Sequence, residues 1–190
     1  MGFAGSADAG SVRVELSEPG AVRVQLLRGW RDTAERLGPV VLEAFAAAQS
    51  ARLHAGAGAH PGFDFSATAA VRALGTGREA ALLIADAGRD LHEFVRRLAA
   101  LHATPRAAPS PGGPVTATVR SGQIVGLTID AVWRDRVDDA EAARVLGDVL
   151  GAGLRLIADT PQHALADCPA LAAVLRLAGG PPVTAAGAFR

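Results

Sequence analysis

Apolar residues alternate with polar ones over Val12, Val14 and Leu16, and again over Val22, Val24 and Leu26. Period two on either side of a turn predicts a half-buried β-hairpin. The register that pairs Leu16 with Val22 and Val14 with Val24 leaves Glu18-Pro19-Gly20 as the loop, a length that suits a left-handed glycine. It also places Glu15 opposite Arg23 on the outer face. The pattern returns later in the chain. At the separation of Trp30 and Trp133, 103 positions, Val12 falls on Val115, Val14 on Ala117 and Leu16 on Val119. Val22 falls on Val125, Val24 on Leu127 and Leu26 on Ile129, with Thr116 facing Thr128 and Ser121-Gly122-Gln123 as the loop.

Each hairpin is followed by Trp-Arg-Asp, at Trp30 to Asp32 and Trp133 to Asp135, and these are the two tryptophans of the chain. A helical stripe comes next in both copies. The first is Val40, Val41, Ala44, Phe45 and Ala48, with Pro39 in the opening turn. The second is Ala142, Val145, Leu146, Val149, Leu150, Gly153, Leu154 and Ile157, opened by a capping box of Asp138 and Glu141. Gly147, Gly151 and Gly153 cost helix propensity, which predicts close packing of another element against them. A hairpin, a WRD turn and a helix have been written twice.

Between the copies, Gly77 to about His102 predicts a long helix, with Thr76 and Glu79 as a capping box. Its apolar positions Ala80, Ile84, Ala87, Leu91, Phe94, Leu98 and Leu101 form a heptad-like seam. The expected fold class is α+β, a tandem pseudo-repeat in which antiparallel sheets pack with long helices. The expected division is a flexible N-terminus over 1–10, a first repeat over 11–53 and a Gly-rich connector over 54–76. A more complete second repeat follows over 77–158, then a tail over 159–190 with a short helix from Pro169 to Leu177. The connector carries Phe63 and Phe65 and a short helix over 66–74.

Composition narrows the function classes. The chain has 190 residues, is 49% hydrophobic and 20% charged, and is therefore globular. All 19 basic residues are arginine and they balance 19 acidic ones. A strong nucleic-acid binder usually carries a basic excess, so any DNA contact must come from a local basic face. One cysteine, no apolar run of membrane length and no signal-peptide pattern predict a cytoplasmic chain that does not enter a membrane.

The stretch from the long helix through "GGPVTATVRSGQIVGLTIDAVWRDRVDDAEAARVLGDVLGAGLRLIAD" resembles the YbaB/EbfC family of nucleoid-associated proteins. The matching residues are Gly113, Val115, Ala117, Gly122, Ile124, Leu127, Ile129 and Asp130, then Asp138 to Glu141, within roughly 77–158. The first repeat is similar to the same sheet and helix without the preceding helix. The resemblance implies a YbaB-like fold, dimerisation and sequence-tolerant DNA binding in the nucleoid.

On that reading the candidate phosphate contacts are Arg13, Arg23, Arg28, Arg96, Arg97 and Arg120. A symmetric partner for the lone long helix predicts a homodimer, with Ile84, Ala87, Leu91, Phe94, Leu98 and Leu101 at the interface. The competing expectation is a protein-binding adaptor or secretion-associated chaperone that uses the same fold.

No enzyme and no cofactor is expected. His92 to Arg96 begins like a zinc-protease helix, but Arg96 stands where the second histidine is needed, and no metal site follows. His163, Asp167 and Cys168 are close in sequence without an arrangement that makes them converge. Acidic residues at Asp32, Glu35, Asp135, Asp138 and Asp139 suit helix starts. The tryptophans are expected to close the sheet ends in equivalent environments, Asp32 or Asp135 accepting from the indole N–H, with base stacking as the sharper alternative.

Overall fold

The computed structural model describes residues 2–17, 21–56 and 77–177. The Glu18-Pro19-Gly20 turn, the connector with Phe63, Phe65 and its short helix, Thr76 of the capping box, and the end of the tail lie outside the described residues. The chain is a mixed α+β protein with two three-stranded antiparallel sheets. It divides into two compact units, residues 1–60 with 105–157 and residues 61–104 with 158–190.

In the first unit, β1 (Gly2–Ala7), β2 (Val12–Ser17) and β3 (Ala21–Leu26) form one sheet. The other contains β4 (Arg106–Pro109), β5 (Val115–Arg120) and β6 (Gln123–Ile129). The hairpins have the expected pairs Leu16 with Val22, Glu15 with Arg23, and Thr116 with Thr128. Both outer strands were missed. The flexible N-terminus expected over 1–10 holds β1, and the linker before the second hairpin holds β4. Their residues are mostly Gly, Ala, Ser and Pro, so no hydrophobic alternation marks them. They nonetheless keep the offset of 103, because Gly5 pairs with Val14 as Ala108 pairs with Ala117.

One pairing departs from the expected register. Ser121 and Gly122 have φ of 53° and 72°, so the second loop is a two-residue turn of the mirror-image kind, with Arg120 paired to Gln123. A bulge at Thr118/Val119 absorbs the extra residue, and Val119 pairs with Ile124. The structural counterpart of Val22 is therefore Ile124, while Val125 is exposed.

Helix α1 (Leu37–Gly56) follows the first hairpin. After the second come α3 (Ala131–Arg136) and α4 (Asp139–Leu165), with the long helix α2 (Arg78–Ala103) earlier in the chain. The predicted stripes Val40, Val41, Ala44, Phe45, Ala48 and Val145, Leu146, Val149, Leu150 share one core with Val12, Val14, Val115 and Ala117. Two of the glycines marked for close packing meet the sheets. A Cβ on Gly147 would lie 2.8 Å from the Val22 carbonyl oxygen, and one on Gly153 would lie 2.7 Å from the Ile124 side chain. Gly151 meets only the tip of Arg155. On α1, a Cβ on Gly38 would lie 2.6 Å from the Leu127 carbonyl oxygen of β6. Each helix thus packs against the last strand of the other copy.

The second unit contains α2, the last turns of α4 and α5 (Pro169–Leu177). The long helix expected with the second hairpin groups instead with the C-terminal helix. Phe94 packs with Leu165, Cys168 and Ala172. Asp90 supplies the cap of α5 from another helix, its Oδ2 accepting from the backbone N–H groups of Ala170 at 2.8 Å and Leu171 at 3.2 Å. Helix α2 starts at an extended Gly77 with no side-chain cap, whereas Asp138 caps α4 by accepting from Glu141 N at 2.8 Å. Glu141 itself pairs with Arg144 rather than reaching back to complete the box.

Candidate nucleic-acid interface

The pleat that buries Val12, Val14 and Leu16 turns Arg13 and Glu15 outward on β2, and Arg23 outward on β3. Arg13 is bonded to Glu15 at 3.2 Å. Arg28, exposed, lies just past the end of β3. Two shallow depressions meet at Leu27. One, of about 270 Å³, is lined by Ser6, Gly10, Arg13 and their neighbours. The other, of about 420 Å³, is lined by residues Leu26 to Asp32 and by Asp139. Arg13 therefore lines one hollow, and Arg28 and Arg31 line the other.

Arg31 was missed as a candidate, although the repeated WRD pointed at it. Its guanidinium lies 4.5 Å from the centre of the Trp30 ring and donates to the Val137 carbonyl oxygen at 2.8 Å and to Asp139 at 2.9 Å. In the other direction, Arg134 donates to the Ala34 carbonyl oxygen at 3.2 Å. Arg31 and Arg134 are equivalent at the offset of 103, and so are Ala34 and Val137. Each copy grips the other by the same bond, the mark of a two-fold contact.

The tryptophans occupy related but unequal places. Trp30 opens a 3-10 helix (Trp30–Arg36) and is 2% exposed, while Trp133 lies within α3 and is half-buried. Burial removes Trp30 from base stacking. Its Nε1 has no hydrogen-bond partner, so Asp32 does not accept from it, and Asp135 is engaged by Arg134 at 2.8 Å.

The remaining candidates are placed elsewhere. Arg120 ends β5 at the tip of the second sheet's hairpin. Arg96 and Arg97 are on α2 in the second unit, and both are bonded to Glu93. Arg97 also bonds Asp167. Hydrogen bonds from Arg96 and then Arg97 pull the Glu93 carboxyl down to about 2. These two arginines are held by acids, as Arg13 and Arg31 are. Of the seam residues, Ala87 is buried and Phe94, Leu98 and Leu101 are half-buried, whereas Ile84 and Leu91 are exposed.

Among the described residues no group of His, Cys, Asp and Glu is placed to hold a metal ion, and no helix is long and apolar enough to cross a membrane. The Cys168 thiol is buried against the Ala164 carbonyl, and burial raises its pKa. His163 donates to the Asp159 carbonyl oxygen at 2.8 Å and Asp167 pairs with Arg97, so each of the three neighbouring groups has its own partner. Comparison with protein-family models, with characterised proteins and with solved structures gives no match.

Proposed function

We propose that this chain is a non-enzymatic, sequence-tolerant DNA-binding protein of the YbaB/EbfC type, acting at the nucleoid through the outer face of its first sheet. One observation carries the reading: Arg13, Arg23 and Arg28 gather on that face and its rim, while Arg31 borders the adjoining hollow. A chain of zero net charge needs such a local concentration to neutralise phosphates. The reciprocal arginine bonds favour the same family, since they make two sheet-and-helix units in one chain the counterpart of a dimer.

The test is fluorescence anisotropy with two unrelated duplexes over a range of salt. Both duplexes should bind alike. Replacing Arg13, Arg23 and Arg28 by Gln should flatten the plot of log affinity against log salt by roughly 0.9 for each phosphate no longer neutralised. Absence of binding at low salt, or indifference to the triple substitution, overturns the reading.

A second reading has its own support. The outer face of the second sheet presents Thr116, Thr118, Gly126 and Thr128, with Val125 52% exposed, where the first sheet presents charges. Uncharged except for Arg120 at its tip, this face suits a protein partner, and an adaptor or secretion-associated chaperone would use it. Failure of the DNA test, with Val125→Glu abolishing co-purification of a partner, would favour it.

A further inference from the structure

Helix α2 carries a second apolar row beside the one that meets α5. Ala81, Ile84, Gly88, Leu91, Val95 and Leu98 follow spacings of three and four along the helix. Ile84, Leu91 and Val95 are 51%, 48% and 56% exposed, and neither core among the described residues takes them in. No Asp, Glu or Arg interrupts the row.

We infer that residues 66–74, which precede α2 in the chain, form a short helix that folds back antiparallel and covers the first half of this row. Their sequence has the complementary stripe. Ala67, Ala70, Val71 and Leu74 recur at the spacing of one helix face, and Arg72 falls on the far side. Gly75 follows the last apolar position, where helices commonly end, and Gly77 enters α2 in an extended conformation. Gly75-Thr76-Gly77 is left to join the two helices, a length that suits an antiparallel helical hairpin.

From this turn the layers count off in opposite directions. Leu74 meets Ala81, Ala70 meets Ile84 and Ala67 meets Gly88. The first and third of these pairs close over the same rise, about 10.5 Å on either helix. Large meets small in the first two layers, and the third lets two backbones approach closely. A Cβ built on Gly88 meets nothing within 4 Å among the described residues, so α2 is open there. One turn further along, Phe63 reaches Leu91. Proximity favours the chain's own segment over a second copy. So short a tether holds it at an effective concentration in roughly the millimolar range, well above that of a free protein at micromolar levels. Over Ala81 to Leu91 the long helix then needs no symmetric partner. The inference is independent of the DNA reading.

Disulfide trapping on the full chain tests it, with the buried Cys168 left in place. Ala67→Cys combined with Gly88→Cys should close an intrachain bond under mild oxidation. The product should be an oxidised monomer whose yield does not change with protein concentration. Ala67→Cys combined with Leu82→Cys is the control and should stay reduced, because Leu82 lies about 120° around α2 from Gly88. Val71→Glu puts a charge into the covered face. It should speed amide exchange over residues 81–91 about tenfold and leave exchange in α1 unchanged. A disulfide between two chains, equal trapping by the control pair, or unchanged exchange over 81–91 in Val71→Glu would overturn it.

Discussion

Gly5→Ala adds one methyl group at the place where β1 passes beneath α1. An ideal Cβ there lies 2.2 Å from the Ala44 carbonyl oxygen and 2.4 Å from the Ala48 amide nitrogen, where ordinary contact begins near 3.4 Å. Both neighbours are backbone, so no rotamer change relieves the overlap, and the helix must retreat by about 1 Å. A gap of that size forfeits a quarter to a half of each dispersion contact it opens, here those of Val41, Ala44, Phe45 and Ala48 with the sheet. The expected loss is about 3 kcal/mol, the upper part of the range for overpacked cores. Tryptophan fluorescence during urea unfolding reads it directly, because Trp30 and Trp133 both belong to this unit. Gly2→Ala is the control: its new Cβ would meet nothing closer than 3.7 Å and should change little. A Gly5→Ala protein within about 0.5 kcal/mol of wild type would refute the close approach of α1 to β1.

Loss of the Asp90 cap should destabilise the second unit alone. Asp90→Ala is expected to cost about 1–2 kcal/mol and to speed amide exchange at Ala170 and Leu171, and unchanged exchange there would count against the tertiary cap. Glu93 should make stability depend on pH in acid. Its folded pKa is depressed below the usual carboxylate value, so its contribution is present above about pH 4.5 and is lost as pH falls towards 2. Glu93→Gln should remove that part of the acid titration, and wild-type and variant curves of the same shape would contradict it.

The hairpins were legible because one buried face forces period-two alternation, and the same alternation stood at the same spacing twice. β1 and β4 were not, because in a strand under a closely packed helix the inward positions must be small, and small residues carry no hydrophobic signal. Gly5 beneath Ala44 and Ala48 shows the cause. The seam on α2 was legible as an apolar arc. Spacing could not reveal that Phe94 packs against α5 while Ile84 and Leu91 stay exposed. Strand alternation was enough to place Arg13 and Arg23 on the outer face of the first sheet, where the structure has them. Arg31 escaped because its role depends on Val137 and Asp139, which are more than a hundred residues away.

The crossed bonds of Arg31 and Arg134 join two halves of one covalent chain, and this changes what evolution can do with them. Two identical subunits must carry every substitution twice, so an arginine gained on one face appears on both. In a fused pair the halves hold each other at a concentration fixed by the connecting peptide, independent of how much protein the cell makes. Each half is then free to specialise. The charged face of β2 and β3 and the threonine-bearing face of β5 and β6 differ in this way on one frame.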